Sequence, residues 1–124
     1  MNRTRLLIIE GHEAVRLALV ARLATSADVE VVGSTGDPQE GLEQALTLHP
    51  DVILVELKGA NGGGMALMRR LAEADMMSRV IVLTSYPDDE ERRLALAAGA
   101  RHYLLKDLDS QRLIETIREA SHAA

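Results

Sequence analysis

Dense apolar runs punctuate the chain at Leu6 to Ile9, Val29 to Val32, Val52 to Val55 and Val80 to Leu83, with a weaker run at Tyr103 to Leu105. Between them, apolar residues recur at spacings of three and four, the period of a helix with one buried face. The pattern predicts five strands alternating with five helices. The first helical segment turns Val15, Ala18, Leu19 and Leu23 to one side with Arg22 beside them, and that side is expected to pack on the sheet. The second opens with Asp37, Pro38 and Glu40, which read as an N-cap, a proline in the first turn and the return partner of a capping box. The third follows the glycines Gly62 to Gly64 with Leu67, Met68 and Leu71 inward. The fourth starts near Asp88 or Asp89 and stops at Gly99, and the last runs from about Ser110 through Leu113, Ile114 and Ile117. The final Ser-His-Ala-Ala reads as a fraying end.

Strands that are nearly all apolar, each followed by a crossover helix, imply a parallel sheet covered on both faces. Right-handed crossovers favour a doubly wound fold, in which ligands and chemistry gather at the carboxyl ends of the strands. The first polar residues past the runs are therefore the candidates. They are Glu10, Gly11 and His12 after the first run, Glu56 after the third, Thr84 and Ser85 after the fourth, and Lys106 after the fifth. Two carboxylates, a hydroxyl and an ammonium on one edge make a polar site in which the lysine can pair with an acid. The plainer reading is that any strand must end in something polar.

Composition narrows the function. The 124 residues, 47% of them hydrophobic, suit one domain with a single sizeable core, expected over 1–124. With no cysteine, neither a disulfide, a thiolate metal site nor a cysteine nucleophile is available. Arg3 and Arg5 precede only four apolar residues before Glu10, too few for a signal peptide or a membrane span. The expected location is the cytoplasm. A formal net charge of -5 argues against nucleic acid as this domain's own partner, and the pairs Arg69-Arg70 and Arg92-Arg93 read as solvated helix edges.

In order and spacing, the stretches LLIIEGHEAVR, DVILVEL, VIVLTSY and GARHYLLKD resemble the receiver domains of bacterial response regulators, particularly those of the NarL/LuxR type. The resemblance covers essentially the whole chain. It implies a flavodoxin-like five-stranded parallel sheet in the order 2-1-3-4-5, flanked by five helices. It also implies a magnesium-binding acidic pair after the first strand, an aspartate after the third that accepts a phosphoryl group, phosphate contacts at Thr84 and Lys106, and a switch aromatic at Tyr103.

The acidic positions depart from that pattern. Glu10 and Gly11 stand where two aspartates are expected, Glu56 stands at the phosphoacceptor position, and Ala60 replaces a usual proline. Magnesium requires near-octahedral oxygen ligands at about 2.0–2.1 Å, and Gly11 has no carboxylate to offer. The extra methylene of Glu56 moves its oxygen by roughly 1.5 Å, and a misplacement of about 1 Å can cost about a hundredfold in rate. Because phosphoryl transfer rests on positioning and metal charge, the expectation is no aspartyl-phosphate chemistry, no catalytic residue, and magnesium binding that is weak or absent. Glu56 either pairs with Lys106 to hold a constitutive arrangement or is a relic solvated at a loop edge.

Other candidates carry less. His12 has no metal partners nearby in sequence and reads as a packing or capping residue. Gly62 to Gly64 lack the lysine and hydroxyl of a P-loop. Tyr86 reads as a surface aromatic above the site, and Tyr103 as a core-edge aromatic or the switch. Glu10-x-His12 resembles a cobalamin-domain motif only at the level of fold. The leading function is a phosphorylation-independent regulatory module, preceding a helix-turn-helix half beyond residue 124. The alternatives are a stand-alone adaptor, a conventional phosphoacceptor and a flavodoxin-like small-molecule binder. Protein partners are expected, with a homodimer through the fourth helix, fifth strand and fifth helix, a face holding Arg92, Arg93, Arg101, His102, Gln111 and Arg112.

Overall fold

A computed structural model describes residues 3–56, 64–74 and 79–122. The elements run β1 (Thr4–Ile9), α1 (Glu13–Ala24), β2 (Val29–Thr35), α2 (Pro38–Leu48), β3 (Val52–Val55), α3 (Gly64–Glu73), β4 (Arg79–Thr84), α4 (Asp89–Ala97), β5 (His102–Leu105) and α5 (Ser110–His122). The strands form one sheet in the order β2-β1-β3-β4-β5, and every pairing is parallel.

Alternation along the strands builds two cores. Leu7, Ile9, Ile53, Val55, Val80 and Val82 face α2, α3 and α4, meeting Leu42, Leu67, Met68 and Ala95. Leu6, Ile8, Val52, Leu54, Ile81 and Leu83 face α1 and α5, meeting Leu19, Leu23, Leu113 and Ile117. Burying each such leucine or isoleucine is worth about 1.5–3 kcal/mol, so the sheet's two faces supply most of the drive to fold.

Local details differ from the sequence expectation. Ala18 is exposed, and the inward stripe of α1 is Val15, Leu19 and Leu23. Its neighbour Arg22 instead ties α1 to the start of α5, donating to the Ser110 hydroxyl at 2.9 Å and the Leu108 carbonyl at 2.7 Å. β2 continues three residues past Val32 as far as Thr35, and its register against β1 shifts between Leu6 and Leu7, leaving Val32 as the extra residue of a bulge. At the end of α4, Gly99 adopts φ 110, a left-handed conformation that stops the helix and turns the chain into β5.

The capping box of α2 is only half made. The Asp37 carboxylate accepts from the Gln39 and Glu40 amides, both at 3.3 Å. Glu40 does not return the bond, because the Asp37 amide donates to the Thr35 hydroxyl at 3.2 Å and the Glu40 carboxylate accepts from the Gln44 side chain at 3.1 Å. Asp37→Ala is expected to cost about 1 kcal/mol in urea denaturation, whereas Glu40→Ala, losing one exposed contact, should cost at most about 0.5 kcal/mol.

Candidate functional site

The carboxyl edge of the sheet brings Glu10, Glu56, Thr84 and Lys106 together. Glu10 follows β1, and its amide donates to the Thr35 carbonyl of β2 at 2.9 Å. The Glu56 amide follows β3 and donates to the Ile9 carbonyl at 3.0 Å, so main-chain pairing continues past both strands and sets the two glutamates side by side. The Lys106 amide donates to the Thr84 carbonyl at 2.9 Å, which anchors the lysine beyond the edge strand β5. Because β4 lies between β3 and β5, the lysine side chain reaches across the end of β4 to arrive at the acids.

Its ammonium stands 2.8 Å from Glu10 Oε2 and 2.6 Å from Glu56 Oε2. Both acids are buried, Glu10 at 2% exposure and Glu56 at 8%, so neither is a solvated remnant at a loop edge. The lysine answers both carboxylates rather than one. Burial works against its charge, but the hydrogen bonds and charges of Glu10 and Glu56 outweigh that and hold its pKa above the usual lysine value.

Around this triad the other candidates take distinct places. His12 occupies the N-cap position of α1, but its side chain caps no amide. Its ring Nδ1 and its own amide both meet Glu10 Oε1 at 3.1 Å, with the ring otherwise largely exposed. Gly11 is half-buried, and Ser85 and Tyr86 are exposed. Thr84 closes β4 instead of following it, is fully buried, and accepts from the Tyr86 amide at 3.1 Å. Ala60, Gly62 and Gly63 lie outside the described residues, and Gly64 opens α3.

Tyr103 is half-buried at the edge of the core, where its hydroxyl donates to Glu91 Oε1 at 2.6 Å and accepts from the Asp88 amide at 3.3 Å. Burial, reinforced by the Glu91 carboxylate, pushes its phenol up to about 12. Two participants escaped sequence reasoning. Glu91 carries no local signal. Arg16 does carry one: a cation in the first half of a helix runs against the helix dipole, and its Nη1 donates to the Glu10 carbonyl at 3.0 Å.

The order of strands, the acids after β1 and β3, the threonine ending β4 and the lysine after β5 accompany a family match over residues 6–118. This chain belongs to the response regulator receiver domain family. It is 38% identical over 117 residues to the transcriptional regulatory protein LiaR of Bacillus subtilis, covering 94% of this chain and 56% of LiaR. It is 31% identical to the response regulator protein VraR of Staphylococcus aureus, covering 94% of this chain and 56% of VraR. The signal receiver domain of the putative response regulator NarL from Mycobacterium tuberculosis superposes with a TM-score of 0.93 over 100% of both chains, at 22% identity. The receiver thus spans little more than half the length of these curated relatives. Receiver domains are signalling modules rather than enzymes, although in other proteins they accompany enzymatic domains.

The residues of this receiver do not fit the magnesium that its family implies. Glu10 spends Oε1 on His12 and Oε2 on Lys106, Glu56 spends Oε2 on the same ammonium, and Gly11 has no side chain to give. A lysine ammonium already holds the space between the carboxylates that a hard cation would need.

Lys106→Ala would leave two buried carboxylates without their cation and is expected to destabilise the receiver by about 3–5 kcal/mol in urea titrations near neutral pH. Since folding raises the lysine pKa, its stabilisation is complete below the unfolded value of about 10.4 and is lost as pH climbs through the folded one, so the gap between wild type and variant should narrow at alkaline pH. Tyr103 should show its phenolate absorbance rise near pH 12, and Glu91→Gln should move that midpoint downward; an unchanged midpoint would dissociate the two side chains.

Proposed function

We propose that this domain is a phosphorylation-independent receiver, a single module over 1–124 that regulates a transcription regulator of the NarL/LuxR type through protein contacts. The observation that carries the reading is the buried Glu10–Lys106–Glu56 triad, in which the lysine is bonded to the phosphoacceptor position itself. Glu56 acts as a fixed charge, not a nucleophile, and holds one arrangement of the strand ends. A carboxylate brings one negative charge and two oxygens where a phosphoryl group brings nearly two charges and three oxygens, so the imitation of a phosphorylated state is partial. Glu10 and Gly11 are the degenerate acidic pocket, while Thr84, Lys106 and Tyr103 keep the family's phosphate-contact and switch positions.

The similarity to longer regulators supports an output half outside this chain that acts in transcription and that we read as DNA-binding; LiaR is named a transcriptional regulatory protein. The domain itself is read as a protein-binding module of the cytoplasm. No helix among the described residues is long and apolar enough to cross a membrane. The surface of α4, β5 and α5 is the proposed dimer face. Leu94, Leu96 and Leu105 are exposed there at 41%, 38% and 44%, and β5 is an edge strand that a partner would cover.

Incubation with magnesium and a small phosphodonor, read by intact mass and by sedimentation, tests the proposal. The expected result is no added phosphoryl mass and an unchanged assembly state; a magnesium-dependent addition on Glu56 would refute it. Glu56→Asp alone should take up phosphoryl poorly, because Gly11 still withholds a ligand. Glu10→Asp, Gly11→Asp and Glu56→Asp together should recover uptake, and Lys106→Ala in that background should weaken it.

A further inference from the structure

Among the described residues, the core grips α4 less than any other helix. Leu19 and Leu23 anchor α1, Leu42 anchors α2, Leu67, Met68 and Leu71 anchor α3, and Leu113 and Ile117 anchor α5, whereas α4 buries only Ala95. Its two leucines, Leu94 and Leu96, stand on either side of that alanine and are 41% and 38% exposed. A helix with so little buried apolar surface belongs to the part of a fold that opens first. Something else must seat it.

A phenol oxygen does so. Tyr103 is half-buried on β5, where it pairs with Val82 of β4 and packs against the core that Ala95 enters. Its hydroxyl donates its one hydrogen to Glu91 Oε1 at 2.6 Å and accepts from the Asp88 amide at 3.3 Å. Asp88 in turn caps α4, its Oδ1 accepting from the Glu90 and Glu91 amides at 2.9 and 3.3 Å. The N-cap and the first turn of α4 are therefore both fastened to one atom on the neighbouring strand. A hydroxyl bonded to a carboxylate makes a stronger hydrogen bond than one between neutral groups, and the hydrogen spent there is not available to another acceptor.

We propose that Tyr103 and Glu91 form a latch that seats α4 on β5, with Glu91 as a positioning residue acting through the Tyr103 hydroxyl. The latch bond joins α4 to β5 and involves no member of the Glu10–Lys106–Glu56 triad. Leu94 and Leu96 ride on α4, so the latch also sets the surface read above as the partner face. That consequence rests on the proposed reading of the face; the latch itself does not.

Nuclear magnetic resonance relaxation of the receiver's backbone amides, comparing α4 with α5, tests this. In wild type both helices should show order parameters in the rigid range, about 0.85. Tyr103→Phe keeps the ring and removes the oxygen; it should lower the order parameters of α4 toward about 0.6 or broaden its amides by slower exchange, with α5 unchanged. Glu91→Ala should loosen α4 in the same way, and Glu91→Gln, whose amide oxygen still accepts, should restore most of the seating. Tyr103→Phe combined with Glu91→Ala should loosen α4 no further than Tyr103→Phe alone, because both remove the same bond. Arg93→Ala, which removes only the exposed Glu90–Arg93 pair on α4, should relax like wild type. An α4 that stays as rigid in Tyr103→Phe as in wild type, or that loosens only together with α5, would overturn the latch. If α4 loosens while sedimentation shows self-association unchanged from wild type, the latch stands and α4 drops out of the dimer face.

Discussion

Two carboxylates cannot stay out of water at the end of an apolar sheet unless a cation goes with them, and the lysine after the last strand meets that demand. The pairing is a constraint on the whole fold. β1 and β3 deliver the acids as neighbours, while β5, at the opposite edge from β2, delivers the ammonium across the end of β4. The order β2-β1-β3-β4-β5, in the register observed, brings Glu10, Glu56 and Lys106 within hydrogen-bonding distance. The value of such a buried arrangement lies less in net stability, since desolvation consumes most of the Coulombic gain, than in penalising any structure that separates its members.

From the triad, main-chain and side-chain bonds lead outward along the β4–α4 connection. Thr84 holds the Tyr86 amide, Tyr103 holds the Asp88 amide, and Asp88 in turn caps α4 through the amides of Glu90 and Glu91. Glu91 closes the circuit by accepting from the Tyr103 hydroxyl. The connection is thus tied near both ends, one tie to the residue that ends β4 and the other to β5. Through it the strand ends and the first turn of α4 share a continuous set of bonds, the physical precondition for coupling between them.

The strands were legible because a strand covered on both faces must be apolar throughout, and the three central runs, Leu6 to Ile9, Val52 to Val55 and Val80 to Leu83, satisfy that without ambiguity. The tail of β2 was not, because an edge strand carrying Gly33, Ser34 and Thr35 has no apolar signature. Ala18 misled because a small side chain is tolerated on either face of a helix, whereas Leu19 and Leu23 are not. In the site, strand ends located the acids and the lysine. Sequence alone could not say that one ammonium would serve both acids, since that depends on how far the Lys106 side chain reaches across β4. Arg16, Glu91 and the Thr35 hydroxyl that displaces the capping box act on partners far away in sequence or on the main chain, and a pattern of residue types does not contain such contacts.

A switch needs two arrangements of comparable free energy and a ligand that distinguishes them. In a receiver that binds magnesium and accepts a phosphoryl group, added charge can supply that distinction. Here the cation is covalently part of the chain: Lys106 lies between the acids. Under the proposed reading, no diffusible ion changes the charge of the site, so its arrangement stays the same at any level of donor. Regulation must then enter from outside the triad, through whatever binds the exposed apolar residues of α4 and β5. A partner seated there would meet α4 in one fixed setting. Under that reading such a domain would report the presence and concentration of its partner, and occupancy of that surface would take the place of phosphorylation as the variable that carries the signal.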